Sequence, residues 1–232
     1  NILRLTFSQD GIYRIYKPLE EISPYLIEST LLYEDKYFYY HFGINPVSVL
    51  RAVYSLFHSE NRPLGASTIT MQLARLKYNI NSKTFKKEIL EAYLNLAPYG
   101  HNIEGVEAGS LIYYNVPSKD ITLFESFALV IIPQNPNNRI PTSSKGMVES
   151  IASRKRLFPI WLKKHPEDIS LKNIIDMQIT VRHPNSLPFY APHFTDYLLQ
   201  RGMRGEIYST LNLSMQSLLE DSISEYIMNY KN

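Results

Sequence analysis

The chain has 232 residues, 44% hydrophobic and 20% charged, enough to bury a core and too apolar for a disordered segment. A formal charge of +2 supplies no field that would single out nucleic acid as a partner, and the absence of cysteine excludes disulfides and thiolate zinc sites. The six histidines form no HExxH pair, and no run reaches the roughly 18–20 apolar residues that span a bilayer. With no basic start or apolar core at Asn1-Ile2-Leu3-Arg4, the chain as it stands is expected to be soluble or peripheral, any lipid anchor lying outside it.

Taken in order, Ile2–Phe7 and Ile12–Lys17 alternate loosely around Asp10-Gly11, which predicts a hairpin. Ser23-Pro24 reads as N-cap and first helical residue of a helix that runs to Glu34. Asn45-Pro46 repeats the device ahead of Val47–Phe57. Helices are predicted at Ile69–Leu76 and Lys86–Leu94, with Asn95–Gly100 as a loop. Glu104–Tyr114 and Thr122–Ile132 follow, the second opened by a Thr122/Glu125 capping box and stopped before Pro133.

Gly146–Lys164 is a basic amphipathic helix, expected to show a solvated face over Ile151, Leu157 and Trp161. Asp168–Met177 is read as a short helix and Ile179–Arg182 as a strand, before a proline-rich crossing from Pro184 to Pro192. Glu206–Leu211 is read as a strand and Ser214–Tyr230 as an amphipathic helix. The chain is thus expected to be mainly α, with small β elements near both ends.

Glu34-Asp35-Lys36-Tyr37-Phe38-Tyr39-Tyr40-His41-Phe42-Gly43 concentrates the chemistry. If helical, it puts Glu34, Phe38 and His41 on one face, where a ring beside a carboxylate raises its pKa. A plain helix end with solvated charges is the competing reading. Gly65-Ala66-Ser67-Thr68-Ile69-Thr70-Met71-Gln72 reads either as an ordinary cap or as a helix start whose N–H groups and hydroxyls face an anion. Tyr93-Leu94-Asn95, Gly100, Gly105-Val106-Glu107-Ala108 and Pro133-Gln134-Asn135-Pro136 would each be loops or turns alone.

Together, these stretches resemble the glycosyltransferase domain of the class A penicillin-binding proteins, the peptidoglycan glycosyltransferases. The first family motif, ED-x-x-F-x-x-H-x-G, is matched at Glu34, Asp35, Phe38, His41 and Gly43. G-x-STIT-x-Q is matched at Gly65, Ser67, Thr68, Ile69, Thr70 and Gln72, and Met71 with Ala74-Arg75 is similar to the type C branch. YLN-x(4)-G with G-V-x-A is matched at Tyr93, Leu94, Asn95, Gly100, Gly105, Val106 and Ala108. The resemblance implies a lysozyme-like fold: a hairpin lead-in at 1–22, the catalytic core at 23–141 and the helical remainder of the same domain at 142–205. Residues 206–232 would begin a linker towards a transpeptidase domain; no S-x-x-K or K-T-G box follows.

One motif is missing. The family's R-K-x-x-E helix has no counterpart between Ser67 and Asn95, which are only 28 residues apart. The expectation is that roughly 15–20 residues of helix, at about 1.5 Å each, are either deleted between Phe85 and Lys86 or lie outside this sequence. A Cα separation of about 3.8 Å there would leave true deletion.

The family's substrate is a lipid-linked disaccharide-pentapeptide whose sugar is α-linked to a diphosphate; the product is β-1,4-linked, so transfer inverts. By resemblance, Glu34 is the base on the incoming hydroxyl, and Asp35 and His41 complete the catalytic set by holding its geometry. Phe38, Ser67, Thr68, Gln72, Arg75 and Asn95 would bind substrate, with Arg51 a further candidate for the diphosphate. Mg²⁺ is a candidate for sharing that charge. The implied setting is the outer face of the cytoplasmic membrane, the anchor absent from these residues. The implied partners are the lipid-linked precursor, the membrane surface and cell-wall synthesis proteins. Residues Asn45–Arg62 resemble the membrane-facing subdomain. Two alternatives stay open: a lysozyme-like glycan hydrolase, and a non-catalytic cell-wall module that has lost the third motif.

Overall fold

The structure, a computed structural model, describes residues 2–41, 68–70, 72, 86–140, 142–183 and 187–230. These fall into two units, Ser8–Pro184 and a smaller one of residues 1–7 with 185–232.

In the larger unit, β1 (Tyr13–Arg14) leads into α1 (Pro24–Glu34). Pro24 starts α1 with φ already set. Ser23 is held from both sides, its N–H on Ser118 O at 3.0 Å and its hydroxyl on Ile121 O at 3.3 Å. Leu26, Ser29, Thr30 and Leu32 form the buried face. The two hydroxyls donate back to Leu26 O, so this face carries polar atoms without orphaning them. Burying Leu26 completely contributes about 1.5–3 kcal/mol.

Next come α2 (Lys86–Leu96), β2 (Pro98–Gly100), β3 (Ile103–Glu104) and α3 (Val106–Tyr114). They are followed by α4 (Leu123–Val130), α5 (Pro136–Arg139) and α6 (Ser144–Leu162). A 3₁₀ stretch, Pro166–Leu171, leads into α7 (Lys172–Ile175).

The centre of this unit is α4. Its capping box is closed both ways: Thr122 Oγ1 accepts Glu125 N–H at 3.3 Å, and Glu125 Oε2 accepts Thr122 N–H at 2.9 Å. From Ser126 to Val130 every residue is buried, as expected of a helix apolar all round, and α1, α3 and α6 pack around it. On α6, Leu157, Phe158 and Trp161 face inward and Phe127 meets the Trp161 ring edge-on at 5.5 Å. Arg154, one of the basic residues of this helix for which a solvated face is predicted, is buried instead. It donates to Met177 O at 2.9 Å and lies 4.7 Å over the Phe124 ring.

The sheet order is β1-β3-β2, with β1 parallel and β2 antiparallel to β3. His101 and Asn102, both at positive φ, make the two-residue turn between β2 and β3. Asn95–Gly100 is therefore not all loop. The Asp10-Gly11 turn forms, with Gly11 at φ +77 and Ser8 N–H on Ile12 O, but Tyr13 pairs with Ile103 rather than closing a hairpin. Ile179–Arg182 makes no ladder, only Arg182 N–H to Tyr113 O at 2.8 Å.

In the smaller unit, Arg4 bridges Phe189, Tyr190 N–H donates to Leu3 O, and the Arg4 guanidinium lies 4.8 Å over the Phe189 ring. Arg4 also pairs with Asp196 on α8 (Pro192–Gln200). Glu206–Leu211, read as a strand, is irregular. Beyond it, Asn212 Oδ1 caps α9 (Leu213–Tyr230) through Ser214 and Met215 N–H. The predicted helix Val47–Phe57, most of Ile69–Leu76, and the Phe85–Lys86 junction lie outside the described residues. Among those described, no helix is long and apolar enough to cross a membrane.

Candidate active site

Glu34 is the last residue of α1, and the chain leaves the helix at Asp35 (φ −158, ψ 73). The continuous helical face expected for Glu34, Phe38 and His41 therefore does not form. A turn at Lys36-Tyr37 and a 3₁₀ segment, Phe38–Tyr40, fold the chain back instead. This return lets His41 Nε2 reach Asp35 Oδ1 and Oδ2 at 2.9 and 3.0 Å, with both side chains buried.

Asp35 Oδ2 also accepts the backbone N–H of Ile69 at 3.2 Å. Ile69 is in the first turn of the helix that begins after Thr68, where Gln72 N–H donates to Thr68 O at 2.9 Å. A carboxylate at a helix N-terminus satisfies a free donor and meets the positive end of its dipole. At Ile69, the anion expected from outside is thus the chain's own Asp35. Thr68 is buried beside it.

One turn into this helix, Gln72 Nε2 donates to Glu34 Oε2 at 2.7 Å. Tyr93, buried on α2, places its hydroxyl 3.4 Å from Gln72 Oε1. From the far side, Gln134 Nε2 donates to the same Glu34 Oε2 at 3.2 Å. Glu34 Oε1 is enclosed and meets no hydrogen-bond donor among the described residues. Burial pushes the Glu34 carboxyl above the usual range, against the pull of the two amides and of Arg139, while the nearby Asp35 charge adds a smaller upward push. A carboxylate so placed is poised to take up a proton.

Two residues expected to bind substrate are engaged by the chain itself. Phe38 is buried under the Lys86 ammonium, 4.7 Å from its ring centroid, and offers no face to a ligand. Asn95 spends its whole amide on the chain: Oδ1 accepts Lys17 N–H, and Nδ2 donates to Lys17 O and Glu91 O, all at 2.8 Å. Arg51, Ser67 and Arg75 lie outside the described residues.

Three residues at the site had not been singled out as site residues. Gln134 stood in the proline-rich stretch that shares in the family resemblance, with no role assigned to it. Arg139 gave no signal at all. Lys86 donates to Phe38 O at 2.7 Å and to His41 O, clamping the turn that carries the Asp35–His41 pair.

Among the described residues beside Glu34, only its own Oε1 is an uncommitted carboxylate oxygen, and one oxygen does not make a magnesium site. Asp35's two oxygens are occupied, and Glu34 Oε2 faces amides. The one described trio of His, Asp and Glu side chains close enough to share an ion is His165, Glu167 and Asp168. It sits by Glu28, half-way along α1, and Asp168 already accepts Trp161 Nε1 at 2.7 Å. These residues do not make a metal site for chemistry at Glu34.

Among known families, the one described as Transglycosylase matches residues 3–159, more than half of the chain. The chain belongs to the transglycosylase family. The family's presence in penicillin-binding proteins, implied by the motif order, is seen in the relatives. Penicillin-binding protein 1C of Escherichia coli (strain K12) is 30% identical over 234 residues, covering 91% of this chain and 30% of that protein. Penicillin-binding protein 2D of Bacillus subtilis (strain 168) is 27% identical, covering 94% and 36%. Penicillin-binding protein 1A of Vibrio cholerae is 33% identical, covering 65% and 21%. This transglycosylase chain spans well under half the length of each. The crystal structure of penicillin-binding protein 1A from Haemophilus influenzae aligns with a TM-score of 0.47 at 19% identity, covering 84% of this chain and 23% of that one.

Proposed function

We propose that this transglycosylase polymerises a lipid-linked disaccharide-pentapeptide into glycan strands by inverting transfer, with Glu34 as general base. The observation that carries the reading is the state of Glu34: one oxygen held by two amides, the other enclosed and without a donor among the described residues, in surroundings that raise its pKa. In the transfer, the acceptor hydroxyl gives its proton to Glu34 as its oxygen bonds to the anomeric carbon. The bond from that carbon to the diphosphate oxygen breaks, and the lipid diphosphate leaves with the electron pair. A diphosphate leaves without a proton once its charge is met, so a single carboxylate suffices. Arg51, Ser67 and Arg75 remain the proposed contacts to that charge. Any Mg²⁺ would be brought by the diphosphate itself.

Most glycan hydrolases work with two carboxylates. The other carboxylate beside Glu34, Asp35, is buried and committed to His41 and Ile69, which favours transfer over hydrolysis. By the same reading the enzyme works at the outer face of the cytoplasmic membrane, against the membrane surface and among cell-wall synthesis proteins. The test is to give the full-length product lipid-linked precursor in one reaction and preformed glycan in another. Polymer from the first supports the proposal. Cleavage of the second alone would make it a hydrolase, and inactivity on both would make it a binding module.

A further inference from the structure

The two oxygens of Glu34 are chemically equal, but the fold makes them unequal. Oε2 takes both amides, from Gln72 at 2.7 Å and Gln134 at 3.2 Å, and Oε1 takes none among the described residues. An amide side chain can turn either its NH₂ or its oxygen to a neighbour, so something must decide which Gln134 presents. Arg139 decides it. Its Nη1 lies 3.0 Å from Gln134 Oε1, and a guanidinium can only donate. The Gln134 oxygen is thereby turned to Arg139 and the NH₂ to Glu34.

The same Nη1 lies 2.8 Å from the Tyr33 hydroxyl and 3.1 Å from Ile131 O. Tyr33 precedes Glu34 on α1, and Ile131 follows α4. One cation therefore ties the end of α1, the end of α4 and the amide that touches Glu34. Arg139 reaches this place because α5 starts at Pro136, directly after Asn135, and folds back.

We propose that Gln134, oriented by Arg139, is a positioning residue that occupies Glu34 Oε2 and leaves Oε1 as the atom that takes the proton of the acceptor hydroxyl. This rests on the reading of Glu34 as the base. Two donors on one oxygen pin the carboxylate's rotation, so the free oxygen has a fixed direction when the hydroxyl arrives. Both donors also favour the ionised form. Losing Gln134, or losing the arginine that orients it, raises the pH at which Glu34 ionises.

The experiment uses full-length protein carrying ¹³C at the glutamate carboxyls, the Glu34→Gln variant identifying the Glu34 signal. Wild type, Gln134→Met and Arg139→Met are titrated, and kcat and KM for polymer formation are measured across pH. The expected result is that Glu34 titrates at higher pH in both variants, the acid limb of kcat moving with it. At optimal pH, kcat in Gln134→Met should fall about tenfold, the size of one hydrogen bond to a charged group, with KM changed little. A residue that merely supports the fold would lower the melting temperature without moving the titration. An unmoved Glu34 titration in Gln134→Met overturns the proposal while an inactive Glu34→Gln leaves the base reading standing. An active Glu34→Gln overturns both. Because Arg139→Met also removes a charge that lowers the Glu34 pKa, its shift alone does not decide. If Gln134→Met does not fold, Gln134→Asn, which keeps an amide one methylene too short and leaves Arg139 in place, decides by the same titration.

Discussion

Gln72 donates its side-chain amide to Glu34 Oε2 at 2.7 Å, joining residues 38 apart in sequence. That contact is possible because Asp35, the next residue, accepts the N–H of Ile69 one turn before Gln72. Glu34 and Asp35 are adjacent, yet they divide the work. Asp35 is buried in a knot with His41, whereas Glu34 keeps one oxygen without a donor among the described residues.

The knot can be measured. Asp35→Asn should lower stability by about 1–3 kcal/mol, the cost of weakening buried hydrogen bonds without leaving a cavity. Because Asp35 and His41 share one network, a double-mutant cycle of Asp35→Asn with His41→Ala in urea unfolding should show coupling of about 0.5–3 kcal/mol. Additive effects would mean that the two side chains do not act together.

Glu34 should be stabilising when protonated and costly when ionised. Its folded carboxyl titrates above the usual value of about 4.3, the value it returns to on unfolding. Between those two values the folded chain holds a proton that the unfolded chain has lost, so stability falls as pH rises through that window and stays lower above it. Glu34→Gln removes this cost. The variant should gain stability relative to wild type at neutral pH, and the gain should shrink as pH falls to about 4. Denaturant unfolding of both proteins across pH checks it.

Asn95 separates scaffold from substrate contact. With three hydrogen bonds to Lys17 and Glu91 backbone, Asn95→Ala should cost about 2–4 kcal/mol by leaving buried groups unpaired, and leave KM for the precursor unchanged. A raised KM with unchanged melting temperature would return Asn95 to the substrate.

Gly105 stands at φ +88, where an added Cβ would meet Asn95 O at 2.8 Å, backbone that cannot move aside. Gly105→Ala should therefore destabilise by about 1–3 kcal/mol or more, read as a lowered melting temperature.

What the sequence disclosed followed from how local each signal was. Ser23-Pro24 and Thr122-x-x-Glu125 are caps made within one turn, so α1 and α4 were legible. The sheet was not, because Tyr13 pairs with Ile103 across 90 residues and each strand is too short to show alternation. At the site, Glu34 and Gln72 stood in recognisable motifs. The Asp35–His41 contact depends on the helix ending at Glu34, which a helical reading of the stretch conceals. Gln134 and Arg139 matter only after the turn beyond α4 brings them to Glu34, 100 and 105 residues away in sequence. Phe38 and Asn95 sit inside motifs and are buried, and Asn95 is hydrogen-bonded within the chain; a motif marks required residues without saying which of them faces the substrate.

The most direct test is incorporation of lipid-linked disaccharide-pentapeptide into polymer by full-length wild type and Glu34→Gln, with folding checked by thermal unfolding. Polymer from the wild type and none from a folded Glu34→Gln is the predicted result. Retention of more than a few per cent of wild-type activity by the variant would contradict the assignment of Glu34 as the base.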